Sequence, residues 1–238
     1  PFRTNLSNSK MFGGNTKVQS GLKWTEYGRL TASKLRTPLS IAFAEVATHN
    51  HFVLDRGGKV FKQTAPVIKL PADATEDDHL GLLGALNWSS ACFWLKQVCF
   101  NKDPSREAWE QRFEYDGTKL QEVPLPKSLP VGYGRRLDLL AADLSALVPA
   151  AVHVEGVPSR QSLDDARAKY ESTRAQMVAV QEELDWHTYR LYGLIDEDRT
   201  VSGGDWKTDL ADEVPGVRLG QRAFEVVLAR RMAEGVES

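Results

Sequence analysis

Leu80, Leu83 and Leu86 recur every third residue, and Ala91, Trp94, Leu95 and Val98 resume the spacing after a break at Asn87-Trp88-Ser89. That periodicity predicts two short apolar helices hinged at the break. Thr75 with Asp78 three residues on forms a capping box for the first helix, and Glu76 and Asp77 suit its positive end. So apolar a helix pair cannot stand alone in water, and neighbouring segments are expected to pack around it as a core.

Before this pair the pattern has period two. Leu39, Ile41 and Phe43 alternate with Ser40, Ala42 and Ala44, predicting a strand. His51–Leu54 and Lys59–Gln63 flank Asp55-Arg56-Gly57-Gly58, which predicts a hairpin whose glycines take positive φ. Pro66–Leu70 reads as a further short strand, and residues 1–22 read as loop or an incomplete element. After the pair, Phe113-Glu114-Tyr115 is a candidate last strand. Lys119–Leu129, with Pro124 and Pro126 and then Pro130, reads as a stiff extended exit.

The period then lengthens. Leu137, Leu140, Leu144 and Leu147 share one face of a helix over Arg136–Leu147. From Ser162, which pairs with Asp165 as a second capping box, a helix is expected to Tyr192, with Gly193 at C′. Leu163, Ala166, Tyr170, Thr173, Met177, Val180, Leu184, His187 and Leu191 space its seam in threes and fours, a coiled-coil-like pattern on a rod on the order of 45 Å long. Glu182, Glu183 and Asp185 fall to its polar side. A short helix near Val217–Ala233 closes the chain. The expected class is α+β: a small mixed α/β domain over 1–130, then a long helical spacer and C-terminal segment over 131–238.

Composition adds a charge asymmetry. The 238 residues carry a net charge of −2, yet residues 1–70 hold eleven Lys and Arg against Glu26, Glu45 and Asp55, a balance of +8 that leaves −10 for the rest. A basic front is what a segment meeting a polyanion requires, although charge alone does not name the polyanion. No apolar run reaches the ~18 residues of a membrane span. Cys92 and Cys99, seven apart on one apolar helix, are too far apart for a disulfide and have no second ligand pair for zinc, so buried free thiols are expected. The chain begins at Pro1 and reads as a piece of something longer, cytoplasmic in setting.

Motifs of catalysis are missing. The sequence holds no G-x-S-x-G, P-loop, G-x-G-x-x-G opening a helix, or H-E-x-x-H. His49-Asn50-His51 spells a nuclease name, but such nucleases spread those residues over a hairpin and a helix, and three adjacent residues on a strand alternate faces. Asp205-Trp206-Lys207 pairs an acid with a lysine without a partner carboxylate. No residue is assigned a catalytic, metal-binding or cofactor-binding role.

Four segments in order nevertheless carry a resemblance. Leu35–Ser40, Val46–Val60 and Ala65–Leu70 resemble the C-terminal region of PglX-type adenine-specific DNA methyltransferases of bacteriophage-exclusion (BREX) defence systems. Leu82–Val98, "LGALNWSSACFWLKQV" within it, is similar to the helix pair of target-recognition domains in type IIG restriction–modification enzymes and type I specificity subunits. Gly117–Pro126 looks like the exit from such a domain, and Glu183–Leu194 resembles the "LYgL" ending of the helical segment after it. The resemblance implies that DNA-sequence choice resides here, while the methyltransferase domain with its S-adenosylmethionine site lies upstream. Neither its Asn-Pro-Pro-Tyr-type motif nor its cofactor-binding glycines occurs in the chain, so no methyl transfer and no cofactor are expected of this piece.

Under that reading the partners are double-stranded DNA, the upstream methyltransferase domain and other BREX proteins. Candidate DNA-binding residues are Lys23, Arg29, Lys34, Arg36, His49, Asn50, His51, Arg56, Lys59 and Lys62. Arg29, Lys34 and Arg36, clustered where acids are scarce, are expected to clamp phosphates, and strand loops to reach base edges in the major groove. His49 and His51 share a face, and if that face is exposed they can donate to phosphate or bases. Asn50 can pair with adenine or hold a turn, and Trp24 and Tyr27 can anchor a core or meet DNA. Two other readings stay open: the recognition part of a type IIG restriction endonuclease–methyltransferase, and a helical interaction module that binds no DNA.

Overall fold

A computed structural model describes residues 2–11, 13–28, 38–62, 64–107, 110–152 and 156–200. The chain divides into a unit of residues 1–38 and a unit of residues 39–238. In the first, where the sequence reads as loop or an incomplete element, Phe2–Asn8 forms a short helix (α1) that buries none of its residues. Lys10 and Thr16 then bridge across a turn in which Gly13 and Gly14 take positive φ. Seven residues lack the apolar stripe that would betray such a helix in the sequence.

The second unit opens on two small antiparallel sheets. Strand β1 (Ser40–Phe43) lies centrally between β3 (Phe52–Asp55) and β4 (Val67–Ile68). Its register puts Ile41 opposite Leu54 and Ile68, and Phe43 opposite Phe52, whose ring lies 5.4 Å from that of Phe43. These residues form one apolar face over the helix pair α2 (Glu76–Asn87) and α3 (Ser89–Val98). The second sheet runs β2 (Val46–Ala47), β6 (Phe113–Glu114), β5 (Phe100–Asn101), with Phe113 turned into the same core.

The expected hairpin at Asp55–Gly58 is not formed. Gly57 and Gly58 do take φ of 93° and 78°, but Lys59–Lys62 is not a strand. Strand β3 pairs with β1 instead, because that pairing gathers Phe52, Leu54, Ile41 and Phe43 on one buried face. A partner at 59–62 would leave Val60, 74% exposed, with nothing to cover. Because β3 and β4 are both antiparallel to β1, they run parallel to each other. Residues 56–66 are therefore a crossover that returns along the length of the sheet.

Helices α2 and α3 meet the prediction closely. Thr75 Oγ1 accepts from the Asp78 N–H, and the Asp78 carboxylate accepts from the Thr75 hydroxyl and N–H. The hydroxyl bond first, then the backbone one, hold the Asp78 carboxyl below its usual range. Leu80, Leu83, Leu86 and Leu95 are buried. Beyond them the extended exit is interrupted by a short helix α4 (Gly117–Gln121), which Asp116 caps through the Thr118 and Lys119 N–H groups. Asp116-Gly117 is thus a helix start and not a simple turn.

Helix α5 (Val131–Leu147) begins five residues before the predicted start, directly after Pro130. Gly132 and Gly134 weaken the helical signal there, but the second glycine is required by packing. A Cβ built on Gly134 would stand 2.0 Å from the Leu80 carbonyl oxygen, and one on Gly81 2.8 Å from Leu129 Cβ. Backbone therefore meets backbone where α5 crosses α2. After the four-residue helix α6 (Pro149–Val152), α7 (Arg160–Leu191) runs 32 residues, about 48 Å. Its N-cap is Ser159, which accepts from Ser162 N–H, so the helix starts one turn earlier than the Ser162–Asp165 box predicts. Gly193 follows with φ of 67°, as a C′ residue should.

The seam of α7 divides. Val180 and Leu184 are buried in a second cluster with Ala85, Trp88, Ala91, Tyr133 and Leu140, and Met177 packs against it, so the partner of the seam is α5 together with the α2–α3 hinge. Leu163, at the other end, is exposed. Glu183 and Asp185, assigned to the polar side, are buried instead. His187 stacks on Tyr133 at 5.0 Å, and burial lowers its pKa while Asp198 opposes that shift.

Two outcomes follow from this packing. Gly134→Ala is expected to destabilise by roughly 3 kcal/mol or more through overpacking against Leu80. Gly132→Ala, with nothing within 4 Å, should be neutral or stabilising by up to ~1 kcal/mol, both read from urea midpoints. Because the folded His187 binds its proton below the ~6.5 of the unfolded chain, unfolding takes up a proton in that window. Stability should therefore fall as pH drops below about 6.5 toward the lower folded value, and His187→Gln should flatten that segment of a pH–melting curve.

Candidate nucleic-acid interface

The residues of the basic front separate into three groups. Arg29, Lys34 and Arg36 lie outside the described residues. Lys23, in the first unit, is exposed, and its backbone N–H donates to Glu26 Oε2 at 2.5 Å. The remainder lie in the second unit between residues 49 and 62.

Arg56, at the exit of β3, is already engaged. Its guanidinium donates to Glu76 Oε1 (2.7 Å from Nη2, 3.1 Å from Nε) and to Asp138 Oδ2 (2.6 Å), joining the strand exit to the first turn of α2 and to α5. Those bonds, Asp138 first, raise its pKa further. Arg135 makes a parallel staple to Asp77. The positive end of α2 is thereby tied down by pairs that span three elements, and Arg56 is a cross-link before it is a clamp.

Lys59 and Lys62 differ from it. Lys59 lies 3.9 Å from Asp55 with 73% of its side chain exposed, and Lys62 is exposed and in no ion pair among the described residues. Between Asp55 and Asp73 the sequence holds Arg56, Lys59, Lys62 and Lys69 and no acid. The crossover 56–66 is thus a basic strap that runs the length of a sheet, with two exposed lysines three residues apart. Lys69, just beyond β4, was missed in the sequence; the acid-free stretch was the signal that could have found it.

The His-Asn-His run behaves otherwise than a strand. Residues 49–51 precede β3, and the condition that both His49 and His51 be exposed is not met. His49 is buried with Nδ1 3.2 Å from Thr48 Oγ1, His51 is exposed, and their rings stand 6.4 Å apart. Asn50 is 2% exposed and its Nδ2 donates to the Leu86 carbonyl at 2.6 Å. That bond reaches 36 residues along the chain to the end of α2, so Asn50 makes a tertiary link and not a local turn.

That bond belongs to a larger arrangement at the α2–α3 hinge, which the sequence did not disclose. The Asn87 side chain accepts from Phe52 N–H at 3.1 Å and donates to the Phe52 carbonyl at 2.9 Å, so its carboxamide stands where a neighbouring strand would stand beside β3. From the other side, Asp185 accepts from Ser89 N–H at 2.7 Å and from Ser89 Oγ at 2.5 Å. Gln181 donates to the Asn87 carbonyl at 3.3 Å. Trp88 between them is buried, edge-on to Tyr192, whose hydroxyl donates to the Pro124 carbonyl and is pushed up to about 12 by burial.

No redox or metal chemistry is built from these groups. Cys92 and Cys99 are free and buried, and burial raises the Cys99 thiol to about 11, far from thiolate reactivity. Among the described residues no three His, Cys, Asp or Glu side chains are grouped to hold a metal ion, and no helix is long and apolar enough to cross a membrane.

An α+β unit with a basic strap across one small sheet and a long helix clamped to its core is similar, over its whole length, to part of an adenine-specific methyltransferase. The relative is the adenine-specific methyltransferase PglX of Streptomyces coelicolor, 47% identical over 248 residues that include all of this chain. The match falls in the C-terminal part of that relative, and the chain spans only about one fifth of its length. The resemblance read in the sequence thus extends to every segment of the chain. A domain of unknown function, DUF7008, matches residues 177–238, so it takes in the half of α7 that carries Gln181 and Asp185. No solved structure matches the chain.

Substitutions separate the structural polar groups from the exposed cations. Asn50→Ala should cost about 1–3 kcal/mol by leaving the Leu86 carbonyl buried without its donor. The double substitution Lys59→Ala/Lys62→Ala should stay within ~0.5 kcal/mol of the parent chain in chemical denaturation.

Proposed function

We propose that this chain is the DNA-recognition part of a PglX-type adenine-specific methyltransferase. Methyl transfer from S-adenosylmethionine would be performed by a domain elsewhere in the longer protein, within a BREX-type phage-defence system in the cytoplasm. The observation that carries the reading is the 47% identity to PglX along the entire chain, where no motif for cofactor or catalysis occurs. The strap supports it: exposed Lys59 and Lys62 on an acid-free crossover have the charge and reach to follow a phosphate backbone, with His51 exposed at the opposite end of β3. The division of labour between a recognition part over 1–130 and a helical part over 131–238 is included in the proposal, as are the phosphate roles of Lys23, Arg29, Lys34 and Arg36. Asn50 and Arg56 enter it as residues that hold the surface and not as contacts.

The target adenine would be rotated out of the duplex into the catalytic domain, so this part contributes register and sequence choice. Duplex binding by the 238-residue chain should weaken steeply with salt, because each neutralised phosphate releases condensed counterions. Fluorescence anisotropy of a labelled duplex at several salt concentrations measures the slope, and Lys59→Ala/Lys62→Ala should reduce it by about two. Binding that is absent at low salt, or indifferent to salt, refutes the reading and favours a helical interaction module. Calorimetry with S-adenosylmethionine should give no binding heat; a stoichiometric heat would place cofactor chemistry inside this chain.

A further inference from the structure

Hydrogen bonds link the buried face of α7, through the α2–α3 hinge, to the first residue of β3, and the other end of that strand leads into the basic strap. Asp185, 1% exposed, holds the first turn of α3 through Ser89, and Gln181 on the same helix face reaches the Asn87 carbonyl. The Asn87 carboxamide then takes both backbone groups of Phe52, the first residue of β3. One residue upstream of Phe52 is exposed His51, and one residue downstream of β3 the strap begins at Arg56.

The chemistry is selective at each link. Only a carboxamide on a one-carbon stem offers an acceptor and a donor at the spacing of one residue's N–H and C=O; aspartate lacks the donor and glutamine is a carbon longer. A buried carboxylate is costly unless several donors satisfy it, and Asp185 is given the backbone and the hydroxyl of a single serine at a helix N-terminus, where negative charge is favoured. Packing alone would be met by apolar side chains of similar volume at both positions.

We propose that Asn87 and Asp185 are positioning residues: through them the helical arm α7 sets the place of strand β3 and so of the basic strap and His51 that meet DNA. The part of this inference that concerns DNA rests on the recognition role proposed above; the mechanical coupling does not. It assigns α7 a part in aligning the recognition surface, beyond separating it from its neighbours.

Hydrogen exchange of the full 238-residue chain, below the melting temperature of each variant, tests the coupling. Asn87→Ser should speed exchange of the Phe52 amide roughly tenfold or more. Asp185→Asn, which touches only Ser89 and Gln181 in this chain of bonds, should speed the same amide by a smaller factor. The amide of Phe43, which donates to Pro66 on the opposite side of the sheet, should change less than about twofold as a measure of general loosening. The double variant should speed exchange by less than the product of the two single factors, because the two act on one path. If Asn87→Ser does not fold, Asn87→Asp keeps the acceptor for Phe52 N–H and turns a carboxylate oxygen on the Phe52 carbonyl in place of the donor, and the comparison with Asp185→Asn stands.

Salt titration of duplex binding then reads the consequence. Asn87→Ser and Asp185→Asn should each lower the salt slope by up to about two, the share of Lys59 and Lys62. An Asp185→Asn chain with unchanged Phe52 exchange overturns the coupling whatever the DNA result. Faster exchange with an unchanged slope, in a protein whose parent binds DNA, overturns the positioning role. A parent chain that binds no duplex defeats the recognition role, and the exchange data still decide whether α7 governs β3.

Discussion

The hinge at Asn87-Trp88-Ser89 is the point on which the rest of the unit depends. A sharp break between two apolar helices exposes the last carbonyls of one and the first N–H groups of the other, and in a core those groups must find partners. They find them from two directions: Asn50 donates to Leu86, Gln181 to Asn87, and Asp185 accepts from Ser89. The partners come from residues 36 and more than 90 positions away, so sealing the hinge fixes the strand segment on one side and the long helix on the other. Trp88 fills the space between, and Tyr192 and Pro124 close over it.

This arrangement explains why α7 is not a free rod. A coiled-coil seam needs a continuous apolar stripe, and Thr173 and His187 interrupt it. What replaces the stripe is a mixed interface in which Val180 and Leu184 bury apolar surface while Glu183 and Asp185 are carried inward beside them. The crossing with α5 also depends on its own unusual contact, the near-touching backbones of Gly134 and Leu80, which fixes α5 against α2 at a separation no other residue would permit.

The electrostatic pattern is sorted by the fold as well. In the sequence Arg56, Lys59 and Lys62 are equivalent cations near a glycine turn. In the structure Arg56 is spent on Glu76 and Asp138, acids that lie 20 and 82 positions away, whereas the two lysines remain on the exposed strap. A charge balance along the chain therefore overstates what is available to a polyanion, since ion pairs formed at a distance neutralise part of it. The cations left over are the ones on which the proposed recognition role rests.

Local rules determined a good deal by themselves. The capping box at Thr75, the stripe of Leu80, Leu83 and Leu86, the break at Asn87, strands at Ile41, Val67 and Phe113, and the glycine that ends α7 each depend on contacts within a few residues, and each was legible. The resemblance to PglX-type enzymes was legible for the same reason: it is carried by short contiguous runs. Tertiary structure alone decided which strand pairs with β3, because the choice turns on gathering Phe52 and Leu54 with Ile41 and Phe43. It alone drew Asp185 into the core, since an acid among polar helix residues becomes buried only when a distant helix N-terminus needs an acceptor. It alone made Asn87 the substitute neighbour of β3, a role that no periodicity encodes because the two bonds reach back 35 residues.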